Sequence, residues 1–168
     1  MASTFAMWRK LADRPLGKRL FSAAMVARVP YFGTVLPNVV AMAPGHCEVR
    51  APKWWGVHNH LRTFHAIAAC NLAEVAMGML AEATVPAGHR WIPKSMTVDY
   101  LAKATTSLRA TAHLDTLPDF GADPFDLPVP VEIRDREDVV VVRAVITVRV
   151  SPKRRESAGL VASDPLRR

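Results

Sequence analysis

Little in this sequence narrows its class at first sight. It has only two cysteines in 168 residues, too few for the disulfide framework of a small secreted domain. Cys47 and Cys70 each sit among apolar neighbours, so they read as free thiols in a reducing compartment. No run approaches the roughly 20 apolar residues of a membrane span. The apolar stretch from Phe21 to Val29 is short, is interrupted by Arg28 and follows scattered charges, so it is not expected to be a secretory signal. There is no internal repeat and no low-complexity tract. His58, His60 and His65 have no Cys or carboxylate partner at ligand spacing, which argues against a metal. These absences leave a cytoplasmic globular protein, and 168 residues suit one domain with a sizeable core.

The formal charge of +7 suggests nucleic acid until its position is considered. Residues 1–28 carry six Lys/Arg against Asp13, and residues 149–168 carry six against Glu156 and Asp164. The intervening 29–148 are net acidic, with ten bases against twelve acids. The basicity therefore belongs to the ends, without the aromatic-interleaved stripe of single-strand binders, and no nucleic-acid partner is expected. Such ends suit an anionic membrane surface, an acidic carrier protein or a phosphorylated ligand, or are simply solvated.

Periodicity divides the chain into residues 1–30, an N-terminal helical segment; 31–151, the main domain; and 152–168, a basic flexible tail. Phe5, Trp8, Leu11, Leu16, Leu20 and Met25 fit one amphipathic helix, or two short ones broken near Pro15. Leu36–Ala43 and His46–Val49 read as extended pieces around a Pro44-Gly45 turn. Thr63 can cap a long helix reaching about Ala83, rich in alanine and apolar on nearly every face, hence buried. From Ile92 the period changes to two. Met96, Val98 and Tyr100 form one apolar series, Leu108 to Leu114 another, Val129 to Ile133 a third, and Val139 to Val150 the longest. The Pro-rich, acidic Asp115–Pro128 reads as an insertion between strands. The element order predicts an α+β fold. Val139, Val141 and Val145 are expected on the second sheet face, against another subunit.

Between Phe64 and Ala81 the one charged side chain is Glu74. An ionised, unpaired carboxylate is costly to bury, so Glu74 must be paired, hydrogen-bonded, protonated or at a cleft. Asn59 and His65 precede it, in a stretch that is polar up to the helix start and apolar beyond it. A helix N-terminus offers free N–H groups suited to polarising a carbonyl oxygen. Glu74 lies nearly three turns further in, so both groups meet one ligand only if a second subunit completes the site. Cys70 has no cationic activator and reads as packing rather than a nucleophile. Trp54 and Trp55 read as core or interface. Ser95 and Thr97, on the strand after the helix, either contact a ligand or face solvent.

Asn59, His65 six residues on and Glu74 nine further resemble the motif of hotdog-fold acyl-CoA thioesterases of the phenylacetate-pathway (PaaI-like) branch. The segment Val98 to Leu114 resembles that family's following strand pair. The likeness covers about residues 36–150. It implies a hotdog fold, in which a five- to six-stranded antiparallel sheet wraps one long central helix, here with an extra N-terminal helix. It also implies a thioesterase acting on an acyl-CoA or acyl-carrier thioester, in a homodimer or dimer of dimers, with coenzyme A entering only as part of the substrate. Glu74 would be general base or nucleophile, Asn59 would orient water or substrate, and the Ala66 N–H would form the oxyanion hole. His65 would support the helix start and line the site. His-Ala-Ile replaces the family's His-Gly-Gly, so the Ala66 methyl and Ile67 narrow the approach to the backbone. A non-catalytic acyl- or CoA-binding protein is the alternative that this change suggests.

Overall fold

The computed structural model describes residues 3–153. The tail expected over 152–168 lies outside these apart from its first two residues. Two helices open the chain, α1 (Thr4–Leu11) and α2 (Gly17–Arg28). Ser3 caps α1 through its Oγ, which accepts from the Ala6 N–H at 3.1 Å. The break expected near Pro15 is a tight turn that only glycine fits: a Cβ on Gly17 would stand 1.7 Å from the Leu11 carbonyl oxygen. The two helices lock through an edge-to-face contact of Trp8 and Phe21, with ring centres 5.1 Å apart. A 3-10 turn follows at Pro30–Val35.

Strands β1 (Asn38–Ala43) and β2 (His46–Ala51) form the hairpin expected around Pro44-Gly45. Then come a short 3-10 turn (Trp55–Val57), the central helix α3 (Ala66–Thr84), and strands β3 (His89–Tyr100), β4 (Leu108–His113), β5 (Phe125–Arg134) and β6 (Val140–Pro152). The six strands make one sheet in the order β1-β2-β4-β5-β6-β3, every pair antiparallel. α3 packs against this sheet with Leu72, Ala73, Val75, Ala76, Met77 and Leu80 fully buried. It has the length and hydropathy of a membrane span, contrary to the expectation that no segment does, but two thirds of it is buried inside the fold. This is the helix-in-sheet arrangement that the resemblance implied.

Two boundaries and one sheet face differ from expectation for physical reasons. Thr63 does not cap α3. The Phe64 N–H donates to the Ala104 carbonyl at 2.8 Å and keeps the chain extended there, so the cap is His65. β5 begins at Phe125, inside the expected insertion. Its first half pairs with β6 alone, because β4 reaches only Val131 to Arg134. Pro128 and Pro130 thus point their missing N–H toward an open edge, where proline is tolerated. The outer sheet face is apolar only in part: Val139 and Val145 are exposed as expected, but Val141 is not. Val141 is fully buried, its carbonyl accepting from Leu101 and Ala102 where the chain folds back after β3. Val145 lies in register with Pro130 and Thr97. Around it run charge ladders: Glu132 between Arg134 and Arg143, and Asp126 between Lys94 and Arg149.

Candidate functional site

Glu74 is half-buried on α3 and makes no hydrogen bond or ion pair among the described residues. It lines a largely apolar cavity of about 260 Å³. The walls come from three directions: Met7 and Met25 on α1 and α2, Phe32 from the 3-10 turn, and Trp91 and Pro93 from β3. Arg28 on α2 and Glu82 on α3 also line the cavity. Asn71 holds the 3-10 turn in place by donating from Nδ2 to Thr34 Oγ1 at 2.9 Å and to the Tyr31 carbonyl at 3.3 Å. Glu74 therefore faces a cavity rather than a buried arginine, and Glu82 two turns further along α3 lines the same cavity.

One turn toward the helix start, the Cys70 Sγ lies 3.1 Å from the Tyr100 hydroxyl at the end of β3. That hydrogen bond, helped by partial burial and by the charge of Cys70, pushes the Tyr100 hydroxyl up to about 12. At the N-terminus of α3, His65 Nδ1 accepts from the Ile67 N–H at 3.1 Å, which assigns its proton to Nε2. The N–H groups of Ala66 and Ala68 have no acceptor among the described residues, leaving two donors of the first turn free. Ile67 beside them is 58% exposed.

The residues singled out in the sequence are not all brought together. Asn59 organises the loop ahead of α3: Oδ1 accepts from the Leu61 and Thr63 N–H groups at 2.9 and 3.1 Å, and Nδ2 donates to Thr63 Oγ1 at 2.8 Å. Ser95 and Thr97 pair with Thr147 and Val145 and sit on the outer face of the sheet, away from α3. Met96 and Val98 take the inner face, in register with buried Ile146 and Ala144. Ala66 and Glu74 lie eight residues apart on one helix, about 12 Å along its axis, so they cannot contact the same reacting atom within one chain. Trp54 is half-buried, while Trp55 is 80% exposed. The sequence reading missed the N-terminal wall of the cavity, together with Gly78 and Trp91. A glycine inside an alanine-rich helix was the available signal.

A larger cleft, about 800 Å³, lies elsewhere, between the ends of β2 and β4 and the β5–β6 turn. Its carboxylates are engaged with arginine or backbone, and the Arg136 guanidinium has no partner among the described residues. Arg109 pairs with Asp138 and Arg50 with Glu48, and Asp135 accepts from the Glu137 and Val139 N–H groups. No carboxylate there is left on an apolar wall, which is why the smaller cavity is the better candidate.

A structural-genomics crystal structure is 41% identical, with a TM-score of 0.78, and the match covers 89% of this chain and 99% of that one. A Pseudomonas aeruginosa protein of unknown function, named a probable thioesterase, is 20% identical with a TM-score of 0.67, covering 86% and 96%. A thioesterase from Haemophilus influenzae is 14% identical with a TM-score of 0.65, covering 83% and 91%. No curated protein matches. Residues 17–150 match the family described as a domain of unknown function, DUF4442. The chain belongs to the DUF4442 family, and its fold is the hotdog fold of those thioesterase-named structures.

Proposed function

We propose that this protein hydrolyses an acyl-CoA or acyl-carrier thioester at a site shared by two copies of the chain. The observation that carries the reading is Glu74, an unpaired, half-buried carboxylate on the wall of an apolar cavity. Glu74 takes a proton from water, the resulting hydroxide attacks the thioester carbonyl, and the proton passes on to the leaving thiolate. Alternatively Glu74 attacks the carbonyl and expels the thiolate, and water then hydrolyses the acyl–Glu74 anhydride to the acid and free Glu74. The Ala66 N–H receives the developing oxyanion. His65 holds the start of the helix and lines the approach.

The separation of Ala66 from Glu74 along α3 calls for the second copy. β3 supports that role. It is a 12-residue edge strand paired only with β6. Pro93 and the bulge before Ser95 interrupt its first half, while Ser95 to Tyr100 present an unbroken edge. Pairing of that edge with its counterpart brings two α3 helices side by side. The spacing of Asn59, His65 and Glu74 supports placement in the PaaI-like branch, and two free cysteines support a cytoplasmic setting.

One observation favours a second reading, an acyl-binding module without turnover: both lone pairs of Asn59 Oδ1 are engaged by its own loop. A panel of acyl-CoAs assayed with a thiol reagent separates the two. Turnover that falls at least about a hundredfold in Glu74→Gln supports hydrolysis. Absence of turnover on every chain length rejects it.

A further inference from the structure

Gly78 lies one turn beyond Glu74 on the same helix face and lines the same cavity. Glycine in a helix interior is destabilising relative to alanine, and nothing in the packing demands it here. A Cβ at this position would meet only Trp91, at 3.5 Å, an ordinary contact. Elsewhere on α3 the close approaches to the sheet are made by alanines: Ala69, Ala73, Ala76 and Ala81 are all buried. What glycine supplies at position 78 is a gap about the size of one methyl group between the helix and Trp91. Met7 and Met25, flexible thioethers that adapt to an apolar guest, line the same cavity.

We propose that Gly78, Trp91 and Met7 set the length of the acyl group this protein accepts, the N-terminal helices closing the far end of the pocket. This rests on the reading of Glu74 as the reacting carboxylate. A substrate carbonyl held at Glu74 directs its chain over Gly78 toward Trp91. At about 30 Å³ per methylene-sized group, taken as similar to a water molecule, 260 Å³ holds roughly nine such groups. The acyl class is therefore a medium-length apolar chain, and long chains are excluded by α1 and Trp91.

The test uses the full-length protein and two readouts: direct calorimetric binding of straight-chain fatty acids of about 4 to 16 carbons, and hydrolysis of the matching acyl-CoAs. Wild type is expected to favour chains of roughly eight carbons. Gly78→Val is expected to lower binding and kcat/KM for that length at least about tenfold while sparing the shortest chains, and Gly78→Ala to do so to a smaller degree. Trp91→Leu, which opens the far end, is expected to move the preference to longer chains. Thermal melts identify which variants fold, and should Gly78→Val not fold, Gly78→Ala and Trp91→Leu decide. An unchanged length profile in the folded variants, or no chain bound by the wild type, overturns the proposal. Length-selective binding without hydrolysis would instead overturn the thioesterase reading and leave the length gauge standing.

Discussion

The Sγ of Cys70 on α3 and the hydroxyl of Tyr100 at the end of β3 stand 3.1 Å apart, joining the central helix to the edge strand one turn before Glu74. Tyr100 keeps its proton up to about 12 because of that contact, whereas an unfolded tyrosine loses it near 10. A folded-state value raised above the unfolded one adds stability that is complete below about pH 10 and disappears as pH rises through about 12. The contribution is small, since Tyr100 is 52% exposed. An ultraviolet difference titration of wild type against Tyr100→Phe should show one phenolate forming near 12. Formation near 10 would mean the contact is absent in solution.

Burial sets an order of thiol reactivity. Cys47 is fully buried, and burial, with a smaller effect of Glu48, pushes its thiol up, so it is a poor nucleophile. A thiol reagent should leave Cys47 unmodified until the protein unfolds, while half-buried Cys70 reacts first. Peptide mapping of partly labelled protein checks this, and early labelling of Cys47 would contradict the packing of β2.

His65 caps α3 through Nδ1. His65→Ala should lower stability by about 1 kcal/mol, and His65→Asn, which restores an acceptor, should recover most of it. Denaturant midpoints measure both. Equal midpoints for the Ala and Asn variants would show that the cap contributes nothing.

The charge ladders on the outer sheet face predict an acid limb. Hydrogen bonds from Lys94 and then Arg149 hold the Asp126 carboxyl below its usual range, and those from Arg143 and then Arg134 do the same for Glu132. Lowered folded-state values mean the unfolded chain binds more protons. This stability is present above about pH 4 and is lost as pH falls through the folded values. Melting temperature should therefore drop below about pH 4 less steeply in Asp126→Asn/Glu132→Gln than in wild type, and about 1 M salt should narrow the gap. Parallel curves would contradict the ladders.

Much of the fold was legible because its signals are local. Apolar crowding on α3 and the period of two after Ile92 survive whatever the tertiary context. The start of α3 was not legible, because Thr63 is a good cap in isolation and is overruled by the long-range bond from Phe64 to Ala104. The start of β5 was hidden by prolines that read as loop, and became a strand because its neighbouring edge is open. Glu74 stood out through the cost of burying a charge. The cavity it faces did not, since nothing local tells which sides of α1 and α2 turn toward α3. Ser95 and Thr97 were named from their strand, and only the register with β6 shows that they face away.

The central claim is that Glu74 of one copy works with the α3 N-terminus of another. Ala66→Pro removes the N–H at the first helical position, where proline is compatible with a helix, and the extended backbone of His65 already suits a following proline. Each of Glu74→Gln and Ala66→Pro alone should fold and lose turnover at least about a hundredfold. The decisive measurement is thioester hydrolysis after the two inactive variants are mixed and allowed to exchange subunits. The account predicts recovery to roughly a quarter of wild-type turnover, the statistical share of intact sites in mixed dimers. No recovery despite confirmed exchange, or full activity in either variant alone, would contradict it.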